Sequence, residues 1–344
     1  MPVVDARVFS NPKIQNIGRD VSHWEDTILD VSPVEEVAGL VFKREDKYAP
    51  LGEGSINGSK LRQLIWLVHQ YKQRGGSQGL ISGASTTSPQ LSMGCTVANH
   101  YGLPSTHVVG LNQFMNTKAV RAKPEVQMAT LMGAEFIIHH AARNNIVQSV
   151  VRELLKQPEY RGYFHLEYGV SIDHWKHPAR EVEAFHRVGA EQVQNIPECD
   201  SLIIPAGSCN SLVSILYGLA IYQPKVRKLV LVEIGPSKRQ WVQERAMAIQ
   251  AINPTQSPMK ALGGSLYPVE YHDLHNSGYV KYEDRKKYQH GSIEFHPHYE
   301  GKLMTYLAER RPDLLAIDNV IWIIAGEGKQ TAFTKALEGM GWKT

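Results

Sequence analysis

Apolar stretches of strand length alternate with helical patterns along most of this chain. Three nearly continuous apolar runs are typical of strands covered on both faces of a sheet, namely 201–205, 228–233 and 319–324. Shorter apolar runs predict further strands at 79–83, 106–110 and 134–138, with helices between them at 89–100 and 124–131. This alternation predicts an α/β fold built from doubly wound parallel sheets.

The segment 236–297 interrupts the alternation. It is rich in His, Tyr, Lys and Arg, and we therefore predict an irregular insert over one face of the protein. At 344 residues the whole chain is long enough for two domains.

Composition narrows the cellular setting more than the function. The formal net charge of +3 is mildly basic and compatible with a phosphate-bearing partner. Three cysteines are too few for a disulfide framework, which favours a reducing compartment. The first sixteen residues show no apolar export signal, and no apolar stretch approaches the roughly 20 residues that span a bilayer, so we expect a cytoplasmic protein. The histidines lack partners at metal-binding spacing, and no metal site is predicted.

Lys60 is the first residue that suggests a specific chemistry. It follows the turn Asn57-Gly58-Ser59 and opens an amphipathic helix. The positive end of the helix dipole and partial burial both disfavour an ammonium ion there. A neutral lysine amine can attack a carbonyl, which Schiff-base chemistry requires. A surface lysine at a helix start is the ordinary alternative, so the case depends on the rest of the chain.

Two turns that lead from a strand into a helix are candidate anion sites, because such turns expose backbone N–H groups at the positive end of a helix. The first turn is rich in hydroxyls and is predicted to bind a substrate carboxylate, through Ser85, Thr86, Thr87, Ser88 and Gln90. In this turn Ser88 is the predicted N-cap and Pro89 the first helical residue. The second turn is predicted to cradle a phosphate, through Gly207, Ser208, Cys209, Asn210 and Ser211. A turn that only caps its helix remains the alternative for each.

Four segments together resemble the fold-type II pyridoxal-phosphate enzymes, and in particular the branch of 1-aminocyclopropane-1-carboxylate deaminase and D-cysteine desulfhydrase. They are Phe42-Lys43-Arg44-Glu45-Asp46, the lysine segment that ends at Leu64, Gly207-Ser208-Cys209-Asn210, and Tyr299-Glu300-Gly301-Lys302. The resemblance implies a discontinuous larger cofactor-binding domain (1–64 and 196–344) and a smaller α/β domain (65–195). It also implies a cofactor bound between the domains, and a homodimer.

By this resemblance, Lys60 would hold pyridoxal 5'-phosphate as a Schiff base and later move a proton at the α-carbon of the substrate. The turn 207–211 would bind the cofactor phosphate. Glu300 would face the pyridine nitrogen and keep it protonated, which makes the ring strongly electron-withdrawing. Tyr299 matches a tyrosine that works near the substrate in the deaminase branch, and Tyr279 is predicted as a second catalytic tyrosine.

The chain departs from that branch in two segments. The turn at 85–90 has no Asn where the branch has a Gln-Ser-Asn signature. The lysine segment reads Asn57-Gly58-Ser59 in place of Gly-Gly-Asn. We therefore expect the cofactor chemistry to be kept and the substrate to differ.

Three functions remain open from the sequence. The first is a lyase or deaminase that acts at the α-carbon of a free small amino acid, by deamination or β-elimination. The second is a phage-type enzyme of DNA-base hypermodification that decarboxylates or rearranges an amino acid attached to a pyrimidine. A DNA backbone would suit the basic residues of the insert, although a solvated charged face is their ordinary explanation: Lys238, Arg239, Arg285, Lys286 and Lys287. The third is a non-catalytic relative that binds the cofactor.

Overall fold

The computed structural model describes residues 4–6, 23–50, 56–111, 116–281 and 284–325. Most of the first sixteen residues, predicted above to lack an export signal, lie outside the described residues. Among those that are described, no helix combines the length and the apolar character needed to cross a bilayer.

The described strands and helices alternate along the chain. The strands are β1 (Val4–Ala6), β2 (Val34–Val37), β3 (Leu40–Arg44), β4 (Leu80–Ala84), β5 (Ser105–Gly110), β6 (Glu135–His139), β7 (Phe164–Leu166), β8 (Cys199–Ala206), β9 (Val226–Glu233), β10 (Val269–Asp273), β11 (Gln289–His290), β12 (Ile293–Glu294) and β13 (Asn319–Ile323). The helices are α1 (Ser59–Gln73), α2 (Gln90–His100), α3 (Thr117–Arg121), α4 (Pro124–Leu131), α5 (Asn144–Leu154), α6 (Ala179–Ala190), α7 (Asn210–Tyr222), α8 (Arg239–Ile252), α9 (Pro258–Leu262) and α10 (Glu300–Arg310).

The chain divides into two compact units. Of the described residues, the smaller unit contains 4–6, 23–26, 64–111 and 116–171. The larger unit contains 27–50, 56–63, 172–281 and 284–325. One boundary falls within α1, after its fifth residue.

The smaller unit is built on a five-stranded sheet with the order β1-β6-β5-β4-β7. Its strands are parallel except for β1, which pairs antiparallel with β6 at one edge. Ile81, Val108 and Ile137 pack against α5, whereas Ala84 and Val109 pack with residues of α2 and α4. Alternate side chains of the strands thus meet different helices, as in a doubly wound sheet.

The larger unit is built on a six-stranded sheet with the order β10-β9-β8-β13-β3-β2. Only the edge strand β2 runs antiparallel to its neighbour. Leu303 and Leu307 of α10 pack in one cluster with Phe42, Ile203 and Ile321 of the sheet. Ligands of open α/β sheets bind beyond the carboxyl ends of the strands. At that end of this sheet, β8 leads into the turn 207–211 and β13 into residues 324–325.

The predicted fold class is confirmed, but the prediction for 236–297 is wrong. This segment contains α8, α9 and β10, and β10 joins the larger sheet by pairing parallel with β9. Val242, Ala246 and Ile249 of α8 are buried at helical spacing. The sequence prediction missed this helical spacing of apolar residues, because many polar residues lie between them.

Apart from Leu64 at the boundary within α1, the division into units differs from the predicted domains in two places. Residues 172–195 were predicted with the smaller domain and lie in the larger unit, because the buried face of α6 packs against α7 and α8. The first described residues were predicted with the larger domain. They lie in the smaller unit, because β1 pairs with β6.

Candidate functional site

Lys60 is the second residue of α1 and is partly buried. Ser59, the residue directly before Lys60, fixes the start of α1, because its N–H donates to the carbonyl of Ile324 at 3.1 Å. Gly58 has a φ of +99°, and a Cβ at this position would lie 3.0 Å from the Ile324 oxygen. Glycine is therefore needed for the chain to pass so close to the end of β13.

The pKa of Lys60 is lowered to about 8. The chief cause is burial, which disfavours the ammonium form, while negative charge on Cys209 or Glu300 would act in the opposite direction. Cys209 adds little to that opposition at neutral pH, because burial raises the pKa of its thiol to about 12. A substantial fraction of Lys60 is therefore an uncharged amine near pH 8, which is the form a nucleophilic lysine requires.

Lys43 is a second lysine with a lowered pKa, and its surroundings exclude the same role. It is completely buried, and desolvation lowers its pKa to about 7. Its Nζ donates to the carbonyl of Ser32 at 2.6 Å and to Oδ1 of Asn195 at 2.7 Å. Within the described chain no acceptor bonds Nζ of Lys60, so Lys60 is the one of the two that is available for chemistry.

Glu300 is the first residue of α10 and is almost completely buried. Its Oε1 accepts the N–H groups of Ile324 and Ala325, both at 2.8 Å. Its Oε2 is also buried, and it has no hydrogen-bond partner among the described residues. Burial raises the pKa of Glu300 to about 7, against the lowering effect of the backbone hydrogen bonds.

The end of β13 therefore holds two predicted site residues. The carbonyl of Ile324 fixes the first turn of α1, which carries Lys60, and the N–H of the same residue fixes the carboxylate of Glu300. A buried carboxylate oxygen without a donor is costly. A protonated pyridine nitrogen is a suitable donor, so Oε2 of Glu300 fits the cofactor that the sequence resemblance implies.

The turn 207–211 has the properties of a phosphate cradle. Cys209 has a left-handed backbone (φ +69°, ψ 0°), which is uncommon for a residue other than glycine. In the part of the chain that the structure describes, no acceptor bonds the backbone N–H groups of Ser208, Cys209 and Ser211. These groups lie at the N-terminal end of α7, where the helix dipole also favours an anion.

The two predicted tyrosines have different positions. A Cβ added at Gly207 would lie 3.4 Å from the ring of Tyr299, so this ring lies beside the cradle turn. The hydroxyl of Tyr279 instead donates to Glu309 at 2.6 Å. Glu309 is nine residues along α10 from Glu300, which corresponds to about 13 Å of helix. The structure therefore bonds the hydroxyl of Tyr279 away from the carboxylate of Glu300, and a catalytic role for Tyr279 stays a prediction.

The sequence prediction missed a buried charged group beside the first turn of α1. Arg62 is completely buried, stacks on the ring of Tyr48 at 3.7 Å and donates to Glu45 at 3.4 Å. Glu45 also accepts the indole N–H of Trp322 at 3.2 Å. Buried ion pairs add little net stability but can fix the positions of neighbouring groups. Arg62 lies two residues beyond Lys60, so this pair can fix the first turn of α1. The consecutive charges of 43–46 at the end of an apolar strand were the available signal.

The turn 85–90 lies in the smaller unit, between β4 and α2. Its polar groups bond mainly to one another: Ser88 N–H to Ser85 O (2.9 Å), Thr87 N–H to Ser85 Oγ (3.4 Å) and Gln90 N–H to Ser88 Oγ (3.3 Å). Thr86 is buried, and no described residue bonds its N–H or its hydroxyl. The helix begins at Gln90 with Pro89 as the N-cap residue, one position later than predicted.

The side chain of Gln90 is engaged within the smaller unit. Its Nε2 donates to the carbonyl of Glu167 at 3.2 Å, and its Oε1 accepts the N–H of Gly169 at 2.7 Å. The amide therefore holds the segment that follows β7. This position explains the residue without any contact to a substrate.

Two histidines are buried core residues of the described chain. No group of three His, Cys, Asp or Glu residues there is arranged to hold a metal ion. His107 and His186 are completely buried, and desolvation lowers the pKa of each to about 3, so both are neutral core residues.

No protein-family model matches the chain. A curated relative, the O-seryl-dTMP PLP-dependent decarboxylase of Salmonella phage ViI, is 35% identical over 367 aligned positions. The alignment covers 91% of this chain and 86% of that protein.

Solved structures of three enzymes are similar to the whole chain. An ACC deaminase homologue matches with a TM-score of 0.64 at 17% identity, covering 96% of this chain and 99% of that one. Threonine deaminase isoform 2 from Solanum lycopersicum matches with 0.57 at 13%, covering 99% and 98%. Maize serine racemase matches with 0.52 at 12%, covering 94% and 98%. At these identities the similarity concerns the fold.

Proposed function

This chain belongs to the fold-type II pyridoxal-phosphate-dependent enzymes, and we propose that it removes the α-carboxylate of an amino acid carried by a pyrimidine nucleotide. The observation that carries the proposal is the 35% identity to the phage O-seryl-dTMP decarboxylase across 91% of the chain. Lys60 and Glu300 provide groups that such a reaction needs.

Bound pyridoxal phosphate supplies an aldehyde that captures an amino group and a ring that withdraws electrons from the α-carbon. In our proposal, Nζ of Lys60 would hold the aldehyde carbon, and the open N–H groups of 207–211 would bind the phosphate. Oε2 of Glu300 would accept a hydrogen bond from the ring nitrogen and would keep a proton on it. A positive charge there would favour the carboxylate form of Glu300, whose pKa is otherwise raised by burial. Tyr299, whose ring lies beside Gly207, would then lie next to the cofactor phosphate.

Decarboxylation breaks the bond between the α-carbon and the carboxylate carbon. Carbon dioxide leaves, the electron pair stays with the α-carbon, and a proton must then reach that carbon. We assign this proton transfer to Lys60, since a pKa of about 8 lets its Nζ give and take a proton near neutral pH. In a deamination or an elimination the same lysine would remove a proton from the α-carbon, so the choice of reaction depends on other residues.

We propose that the turn 85–90 contacts the substrate carboxylate, through Thr86. Most donors of this turn are already bonded within it, which leaves few for an anion. A carboxylate held by few donors loses its negative charge at a smaller cost as it becomes carbon dioxide. The turn therefore favours the loss of the carboxylate over reactions that retain it.

The proposal is tested with O-seryl-dTMP that carries ¹³C in its carboxyl group, incubated with the holoenzyme in heavy water. We expect labelled carbon dioxide and one deuterium on the former α-carbon of the product. Lys60→Ala should abolish both signals, and free serine should give neither. Release of pyruvate and ammonia with the carboxyl carbon retained would contradict the proposal and support elimination.

A basic segment beside Glu300 supports a phosphate-bearing substrate. Lys281, Arg285 and Lys287 are exposed. The segment lies against the start of α10, because the N–H of Lys286 donates to the carbonyl of Pro297 at 2.9 Å and its own carbonyl packs against Gly301. We propose that these cations contact the phosphates of the nucleotide, or of a DNA strand that contains it.

The salt dependence of binding tests this second step. The double variant Arg285→Glu/Lys287→Glu should weaken binding of a thymidine-containing duplex, with a salt slope smaller by about 2. Lys225→Glu/Arg227→Glu is a matched control. It makes the same change of charge on exposed side chains at the start of β9, away from the carboxyl ends of the strands. Equal effects of the two pairs would contradict the assignment. Binding of dTMP alone, with no binding of the duplex, would limit the substrate to the free nucleotide.

A further inference from the structure

The first turns of α1 and α7, which both belong to the larger unit, are joined by hydroxyl groups. Oγ of Ser59, the first residue of α1, lies 2.7 Å from Oγ of Ser211 in the first turn of α7. One turn further on, Nε2 of Gln63 donates to Oγ of Ser214 at 2.9 Å. Ser59 and Ser211 are both buried. The residue directly before Lys60 is thus bonded to the helix whose N-terminus forms the phosphate cradle.

The Ser59–Ser211 pair has one hydroxyl proton more than it uses. Each hydroxyl carries one proton, and a single hydrogen bond between them consumes only one of the two. Among the described residues neither hydroxyl has another acceptor. A buried donor without an acceptor is costly, so the second proton needs a partner that the described residues do not supply. A phosphate oxygen at the N-terminus of α7 is such a partner.

Ser59 is also bonded through its backbone. Its N–H donates to the carbonyl of Ile324, and the N–H of Ile324 holds Oε1 of Glu300. Its hydroxyl reaches Ser211, and its carboxyl side continues into Lys60. This one residue therefore connects the three points at which the chain would hold the cofactor: its phosphate, its aldehyde and its ring nitrogen.

We propose that Ser59 is a cofactor-positioning residue. With Ser211 it donates the spare proton of the pair to the cofactor phosphate, and it thereby ties the seating of the phosphate to the orientation of the turn that presents Lys60. The inference rests on the roles given to Lys60 and to 207–211 under the proposed function, and it holds for any amino-acid substrate.

The test compares apoprotein titrated with pyridoxal phosphate and with pyridoxal, which lacks the phosphate. Ser59→Ala should weaken binding of pyridoxal phosphate about 10-fold, as expected for a lost hydrogen bond to an anion, and leave binding of pyridoxal unchanged. Ser211→Ala should give a similar loss, and the double variant little more, because each single change breaks the same pair. Ser59→Thr retains a hydroxyl and should bind within about 3-fold of wild type.

The matched control is Ser82→Ala in the smaller unit. Oγ of Ser82 is also buried and lies 2.7 Å from Nδ1 of His107, so its removal costs stability without touching the cofactor. Wild-type affinity of Ser59→Ala for pyridoxal phosphate, or equal losses for pyridoxal and pyridoxal phosphate, would overturn the inference. Failure of the underlying assignment is recognised separately, since Lys60→Ala would then keep a covalently held cofactor with unchanged absorbance.

Discussion

The turn after β4 in the smaller unit and the turn after β8 in the larger unit both lead from the carboxyl end of a parallel strand into a helix. Both are rich in small and hydroxyl-bearing residues, and both were predicted as anion sites. In the turn 85–90, however, the N–H groups of Thr87, Ser88 and Gln90 are bonded within the turn, whereas no described residue bonds that of Thr86. In the turn 207–211, the left-handed backbone of Cys209 accompanies N–H groups that no described acceptor bonds. Residue type therefore predicts an anion site equally in both turns. The backbone conformation decides which turn leaves more of its N–H groups open.

The largest expected effect comes from filling the open turn. Gly207→Val adds a branched side chain beside the ring of Tyr299, in the space that the cofactor phosphate would need. We expect the affinity of the apoprotein for pyridoxal phosphate to fall about 1000-fold, equivalent to roughly 4 kcal/mol. An absorbance titration measures it. Thr87→Val in the self-bonded turn is the counterpart and should change this affinity less than 2-fold. Similar losses in both variants would show that the two turns do not differ.

The second effect concerns the stability of the apoprotein and the buried carboxylate of Glu300. The pKa of Glu300 is raised from 4.5 to about 7, so the folded state keeps a proton that the unfolded state releases between these values. Wild-type stability should therefore fall as pH rises from 4.5 to 7. Glu300→Gln lacks this titration, and its free energy of unfolding relative to wild type should rise by about 3 kcal/mol over that range. Urea unfolding at both ends of the range measures it.

Adding the cofactor provides the control for that prediction. A positive ring nitrogen beside Oε2 would stabilise the carboxylate, so the difference between wild type and Glu300→Gln should shrink or reverse in the holoenzyme. If the difference in free energy of unfolding between the two proteins were independent of pH, the carboxylate of Glu300 would not be buried.

How far the sequence predicts the structure depends on where the information lies. The apolar runs of β8, β9 and β13 were predicted to within two residues of their observed bounds, because a strand buried on both faces needs apolar residues at nearly every position. The family and the cofactor were predicted from the specific Lys-Arg-Glu-Asp and Tyr-Glu-Gly-Lys strings. The relative of 35% identity confirms both. The backbone of 324–325, which holds Lys60 and Glu300 together, was not predictable, since N–H and carbonyl groups are the same in every sequence. Nor could the sequence show that the hydroxyl of Tyr279 turns towards Glu309.

A third, about tenfold effect is expected in the pH dependence of cofactor capture. Only the amine of Lys60 can attack the aldehyde, and its pKa is lowered to about 8. The capture rate should rise about 10-fold from pH 7 to pH 9 and then level off. Stopped-flow absorbance of apoprotein mixed with pyridoxal phosphate measures this rate. Lys43→Met removes the other lysine of lowered pKa and should leave the midpoint unchanged. A rate that continues to climb through pH 10 would mean that Lys60 is an ordinary exposed lysine.

The smallest effect is expected in the self-bonded turn. Oγ of Ser88 accepts the N–H of Gln90, the first residue of α2, so Ser88→Ala should cost about 1 kcal/mol, as for other lost hydrogen bonds. In a protein of this size, that loss lowers the melting temperature by about 2 °C. The affinity for pyridoxal phosphate should stay within 2-fold of wild type, because the cap bonds belong to the smaller unit and not to the phosphate cradle. If Ser88→Ala instead left the melting temperature unchanged and weakened cofactor binding 10-fold, the hydroxyl would serve the ligand. The distinction between a turn bonded mainly to itself and a turn that binds the cofactor phosphate would then fail at this position.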